Sequence, residues 1–458
     1  MLHGMRHHLR MSKRRTYVVF SVATALLIGS TISSVSAAAP KIGSACKTAG
    51  IFFDTQSTRY VCNKEGKKLV WRTWYPAAAK NTSTTSTATT PAPAQSKTPA
   101  AAATPLKPLV QNPIPITLPA AQVGTISFEN ITQHISDIPR AAWDAVQKVI
   151  AANSLPSIPT TIAVGPNTTP NVSDISVPFQ KTMKLWSGFR QPSTYYALIF
   201  NFQDKDWALK KAATIPAVIK SGGINGPDGM PGRIAACAAP TQCSSANSGI
   251  EDPDGAGLGQ FGMDPAHNAV DPYFQYGGIE GHEYTHSVQA AQFLDTPNVG
   301  KPATNLQRQH GLSNAPSGLY EGVVPCWMAE GQANFNGTAA ATSTFDEYSS
   351  WRLHMPKGWP NPDFTDYSAA SLQKLLETDM PPDCLPPASI YKMGYGIGAL
   401  VIEELTAIAG PQSDMALVTL MSRDLTFAQA FEKVYGISWA KAAPILAQVA
   451  AVEYAATP

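Results

Sequence analysis

The distribution of apolar and polar positions divides the chain into four unequal parts. An unbroken apolar run from Tyr17 to Ile28 follows a polar, basic start. Apolar residues then alternate around Cys62 and through Leu69-Val70-Trp71, which predicts a small β-hairpin. From Pro76 to about Ala120 the residues are mainly Ala, Thr, Ser, Pro and Lys. Such a stretch has little apolar surface to bury and is expected to stay extended and solvated, as a tether over residues 76–120. Beyond it, the patterning of a folded domain begins and runs over residues 121–458.

Within that domain Ile126 to Ile131 alternates as a strand does, and Pro139 to Ala152 carries Ala142, Trp143, Val146, Val149 and Ile150 at helical spacing. Thr160 to Val164 and Tyr195 to Phe202 read as strands, with a helix starting near Asp204. Residues 222–267 are rich in Gly, Asp, Asn, Ser and Pro and read as a loop, with Leu258 to Met263 a short edge strand able to pair with an extended peptide. Asp271-Pro272 offers an N-cap and a proline at the first helical position for a helix running to about Leu294. Gly277, Gly278 and Gly281 are poor helix formers, so either the packing there is close or the helix starts later, near Gly277. Further helices are expected from about Ile390 to Ile408, Asp414 to Met421, Phe427 to Val434 and Trp439 to Ala450. Strands mixed with helices, followed by helices alone, predict an α+β fold with an N-terminal mixed-sheet lobe and a C-terminal helical lobe.

Charge changes the picture little. The 458 residues hold 14% charged side chains and a net charge of +2, which gives no nucleic-acid face. The start of the chain changes it more. Arg6, Arg10, Lys13, Arg14 and Arg15 precede the Tyr17–Ile28 run, and Val35 and Ala37 stand before a small-residue cut at Ala37/Ala38. This is the pattern of a secretory signal peptide over residues 1–37, which predicts a secreted or cell-surface protein without stable membrane insertion. Gly43 removes a lipoprotein box at Cys46. Six cysteines in an exported chain suggest disulfides, and spacing favours Cys46 with Cys62 and Cys237 with Cys243, leaving Cys326 with Cys384. Residues 41–75 thus form a small Cys- and Trp-containing module. It resembles short modules near the N-termini of exported actinobacterial proteins, and either contacts a cell wall or simply caps the chain.

The chemistry concentrates at Gly281-His282-Glu283-Tyr284-Thr285-His286. Two histidines four apart on a helix lie on one face and reach a single ion, and the glutamate between them is placed to take a proton from water beside that ion. A zinc hydrolase needs a third protein ligand and an open position. In the metzincin pattern a Gly and a His would stand where Gln289 and Gln292 do, so that class is excluded. Glu321, Glu330 and His310 remain, and Glu330 lies on a segment with helical potential opened by Pro325, whereas Glu321 precedes Gly322-Val323-Val324-Pro325. Asn334, one turn after Glu330, is placed to accept from the His282 ring.

Trp327-Met328-Ala329-Glu330-Gly331-Gln332-Ala333 resembles the third-ligand helix of gluzincin metallopeptidases, and Tyr395-Gly396-Ile397-Gly398-Ala399 is similar to the helix on which aminopeptidase N-like members carry the tyrosine that donates to the tetrahedral intermediate. The resemblance spans roughly residues 270–440 and implies a zincin-like catalytic domain, a Zn2+ ion on His282, His286 and Glu330, Glu283 as general base, and Tyr395 as oxyanion donor, with Tyr391 in reserve. The free-N-terminus motif Gly-x-Met-x-Asn of aminopeptidases has no clean counterpart at Gly262-Met263-Asp264. The expected function is hydrolysis of peptide or protein substrates. The rival readings are a surface- or wall-binding protein with a structural or vestigial zinc site, and a zinc hydrolase of non-peptide amides.

Overall fold

In a computed structural model, residues 111–216, 218, 230–243, 245–250, 254–263, 271–294, 323–358, 364–378 and 392–458 are described, together with 41, 44–47, 52–54, 59–65 and 68–73. The chain divides into two units, Met1–Ser96 and Lys97–Pro458. In the first, strands β1 (Phe52–Asp54), β2 (Arg59–Glu65) and β3 (Lys68–Thr73) form an antiparallel sheet in that order, with Cys62 opposite Trp71. The expected hairpin is present, and the Cys46 N–H donates to Leu69 O at 3.1 Å. Cys46 is disulfide-bonded, while the Cys62 side chain lies outside the described residues. The signal-like residues 1–37 lie outside them too.

The second unit is a mixed α+β structure. Its first described residues, 111–120, have the composition of the tether but pack on the body: Ile114, Ile116 and Leu118 lie against the core, and Ala120 N donates to Val434 O at 2.7 Å. The four apolar positions Ile114, Ile116, Leu118 and Ala120 recur at every second residue, a pattern that the surrounding prolines obscure. Residues 126–131 are likewise not a strand. Ser127 N donates to Asn130 Oδ1 at 2.8 Å and Ile131 N to Ser127 O at 2.9 Å, so a side-chain-closed turn takes the place of a ladder while still burying Ile126, Phe128 and Ile131.

Helix α1 (Ile138–Ala152) presents Ala142, Trp143, Val146 and Ile150 inward, as its spacing predicts. Then follow β4 (Thr160–Val164), α2 (Ser176–Leu185), β5 (Thr194–Asn201), α3 (Lys205–Ala212), α4 (Met230–Ala236), β6 (Ser245–Ile250) and β7 (Ala256–Met263). The sheet order is β4-β5-β7-β6; β4, β5 and β7 run parallel and β6 is antiparallel to β7. The 258–263 segment is therefore an interior strand, and the edge is β6, in a stretch whose composition reads as loop. Its glycines explain the misreading. Methyl groups at Gly257 or Gly259 would run into Tyr195 and neighbouring rings, so the glycines clear the sheet face for aromatic side chains.

On one face of the sheet, Leu198, Phe200 and Leu258 pack with α3, Ile234 and the Cys237–Cys243 disulfide. The other face receives α5 (Pro272–Gln275), α6 (Gly278–Ala291), α7 (Cys326–Ala341), α8 (Phe345–Arg352), α9 (Met355–Gly358), α10 (Ala369–Thr378) and a π-helical turn at Gly394–Gly398. That turn leads into α11 (Ala399–Ala409), α12 (Pro411–Met421), α13 (Phe427–Tyr435) and α14 (Trp439–Ala456), with one continuous apolar core. Among the described residues no helix is long and apolar enough to cross a membrane.

Candidate metal centre

The expected motif helix is broken once before it begins. Asp271 caps the short α5 by accepting from Tyr273 N at 2.9 Å, and Gly277, at φ +80°, then redirects the chain into α6. The later start is the one realised, and only glycine adopts that backbone without strain. Close packing is realised as well. A methyl at Gly281 would collide with the Gly337 carbonyl, and one at Gly337 with the His282 backbone, so α6 and α7 cross backbone to backbone. At the next contact Gly331 lies on Gly398, Gly398 on Trp327 O, and Gly394 against Glu330 Cβ. The Gly-rich π-helical turn thereby fits directly over the part of α7 that carries Glu330. Single π turns inside helices recur at functional sites, where they re-aim a side chain.

This crossing brings His282 and His286 of α6 to Glu330 of α7. His286 Nε2 lies 2.9 Å from His282 Nε2; Glu330 Oε2 lies 3.3 Å from the former and 3.5 Å from the latter. Ligand atoms of the three fall within 4.8 Å of one another, the one such group of three or more metal-ligating side chains among the described residues. Three ligands at about 2.1 Å from an ion in a tetrahedral arrangement stand about 3.4 Å apart; the two Glu330 distances match this and the His282–His286 distance is shorter. Glu330 Oε2 is buried and stands at ion-pair distance from both imidazoles.

The outer ring nitrogens settle which atoms face the centre. Asn334 donates from Nδ2 to Tyr395 O at 2.7 Å, which turns its Oδ1 to His282 Nδ1 at 3.3 Å. Gln289 donates from Nε2 to Ala329 O and Gln332 Oε1, which turns its Oε1 to His286 Nδ1 at 2.8 Å. Both Nδ1 atoms therefore carry hydrogen, so it is the Nε2 atoms that face Glu330 and, in the neutral rings, could take a metal ion. Burial and the charge of His286 hold His282 below the ordinary histidine range, in the neutral ligand form. On His286 burial is overcome by Glu330, Glu283 and Gln289, which raise it to about 9, while Glu330 is held well below the carboxylate range because His286 and His282 outweigh its own burial.

Glu283, buried, lies on α6 between the two histidines, and its charge acts on His286. The Tyr395 ring is half-buried and stacks on His282, with centroids 5.8 Å apart and planes 7° from parallel. Of the five residues singled out in the sequence, the structure gathers His282, His286 and Glu330, stacks Tyr395 on His282, and carries Glu283 on the same helix as the histidines. Glu321, His310 and Tyr391 lie outside the described residues, as does Cys384; Cys326 is disulfide-bonded. Gln289, which in the sequence only excludes a class, emerges as the residue that orients His286. Gln292 instead braces the end of α6, donating to Arg190 O and Val288 O and accepting from Thr419. Tyr273 also belongs here, its ring edge-on to His282 at 6.1 Å and 89°, although nothing in its local sequence marks it.

Of the three side chains Glu330 is the most exposed, at 22% against 3% for His282 and 8% for His286, although its Oε2 is itself buried. Comparison with protein-family models, with curated proteins and with solved structures finds no match.

Proposed function

We propose that the protein is a secreted zinc-dependent metallopeptidase. The observation that carries this reading is the trio His282, His286 and Glu330 around one point, with Glu283 on the same helix and Glu330 the most exposed of the three. Two imidazoles and a carboxylate near tetrahedral spacing suit zinc, and three protein ligands with one side chain partly exposed suit a catalytic better than a closed structural site. Zinc held there supplies Lewis-acid polarisation of a carbonyl and a nucleophilic water at neutral pH.

The chain's own residues supply the rest. Glu283 takes the proton released as water attacks and passes it to the departing amine. Asn334 and Gln289 hold the two imidazoles in the ligand tautomer, and Tyr395 is positioned beside His282 to serve the developing oxyanion. The signal-like residues 1–37 support export, and the tether lets the catalytic unit act away from whatever the 41–75 module contacts.

The deciding experiment is Glu283→Gln in the full chain, assayed on casein and on a peptide mixture with zinc quantified by emission spectroscopy. The expected outcome is one zinc per chain in both proteins, with cleavage by wild type and a loss of at least about 100-fold in the variant. Wild-type cleavage that survives the substitution would remove Glu283 from the mechanism. Bound zinc with no cleavage of any peptide by wild type would return the site to a structural role.

A further inference from the structure

Tyr273 stands on α5, shortly before the glycine that turns the chain into the motif helix. Its position is fixed from three sides. Asp271 caps its backbone N–H, its ring stacks with Trp351 at 6.4 Å and 23°, and its ring edge fits against the bare Cα of Gly278, where a methyl would come within 2.7 Å. Against His282 it is perpendicular, so the imidazole is held between two phenols, Tyr395 on its face and Tyr273 at its edge. The Tyr273 side chain is buried, and its hydroxyl has no hydrogen-bond partner among the described residues.

An unpartnered buried hydroxyl is destabilising relative to one that is bonded. Phenylalanine would fill the same space without that cost. A tyrosine here, beside His282, keeps a donor that none of the described residues uses.

We propose that Tyr273 is a second phenolic donor of the cleft, whose hydroxyl bonds the substrate oxygen on which negative charge develops. The inference rests on the peptidase reading for the identity of that oxygen, but not for the placement of the donor. A phenol keeps its proton at neutral pH, so the hydroxyl is a donor there. Tyr395 and Tyr273 then come at the developing charge from different helices, and removing either leaves the other.

The decisive variant is Tyr273→Phe in the zinc-loaded full chain, followed by three readouts. Zinc content is expected to stay at one per chain. The melting temperature is expected to hold or rise by about 1–3 °C, since an unsatisfied buried group is removed. On any peptide that wild type cleaves, kcat is expected to fall about 10- to 100-fold with KM changed less than about threefold, the signature of an interaction made in the transition state. A structural hydroxyl would show the opposite pattern, a lower melting temperature with kcat intact, and that result overturns the proposal.

A fourth readout separates this proposal from the peptidase reading. N-phosphoryl-leucinamide presents a tetrahedral anion to a zinc site, and calorimetry is expected to show about tenfold weaker binding to the variant. If wild type cleaves no peptide, the peptidase reading fails while this comparison still decides the role of Tyr273. Equal affinity in both proteins, or no binding to wild type, overturns it.

Discussion

At the scale of single residues, the candidate metal centre depends on two amides as much as on the three side chains that could hold an ion. An imidazole whose inward nitrogen carried hydrogen would present a donor to the ion, and the outward acceptor is what prevents it. Asn334 and Gln289 are each pinned by their own donated bonds, to Tyr395 O and to Ala329 O with Gln332 Oε1, so neither can turn its NH2 to the histidine without losing them. Asn334→Ala or Gln289→Ala is therefore expected to weaken metal binding about 10- to 100-fold, read by competition with a chelator of known affinity. Affinity unchanged in both variants would show that the crossing helices alone orient the rings. The ligands themselves are legible in the sequence because His282, Glu283 and His286 are close together on one helix and Glu330 sits in a recognisable setting. Gln289 and Tyr273 are not, since their roles arise only where α5, α6 and α7 meet.

At the scale of elements, the site exists because three helical segments approach more closely than side chains allow. Gly281 against Gly337, and Gly331 against Gly398, replace side-chain packing with backbone contact. Gly281→Ala gains about 1 kcal/mol of helix propensity. It also forces a methyl into a carbonyl that belongs to a packed helix, and overpacking of that kind costs about 1–3 kcal/mol, more when the obstacle is backbone. The collision is expected to win. Gly281→Ala and Gly337→Ala should lower the melting temperature by several degrees and lose metal, whereas Gly358→Ala, with open space around its position, should do neither. Equal thermal stability in all three, by calorimetry, would mean that α6 and α7 can slide apart without penalty. Amphipathic helices such as α1 and α13 are legible from their spacing. Glycine-rich elements are less so: β7 reads only as a short edge strand and the Gly394–Gly398 turn as ordinary helix, because the lack of side chains that suits close packing also weakens the hydrophobic period. The same loss hides β6, a strand of small residues, Ser245-Ala246-Asn247-Ser248-Gly249-Ile250.

At the scale of the whole molecule, the interior holds an unusual load of carboxyl groups. Glu404 and Glu453 are buried with Glu403 around a single guanidinium: Arg352 lies 2.8 Å from Glu403 and 2.6 Å from Glu453, and both Glu404 oxygens lack a hydrogen-bond partner among the described residues. One positive charge cannot balance three negative ones in a buried site, so burial, then the neighbouring carboxylates, push Glu404 and Glu453 well above the ordinary range. Burial also raises Glu280 and Asp414, each to about 7. For a carboxyl whose folded value is raised, the stabilisation is fully present below its unfolded value near ~4 and is lost as pH rises through the folded value. Glu280 and Asp414 thus remove stability between about pH 4 and 7, and Glu404 and Glu453 continue the loss beyond it. Glu330 works in the opposite sense, its depressed value withdrawing stability only in strong acid. The zinc-loaded chain should therefore melt at a higher temperature at pH 6 than at pH 8.5, at constant ionic strength. Glu404→Gln should reduce that difference, because a neutral isostere has no proton to lose: near pH 6 it should match wild type, and at pH 8.5 it should melt several degrees higher. A variant that tracks wild type at both values would show that Glu404 is ionised throughout, with a compensating charge other than Arg352.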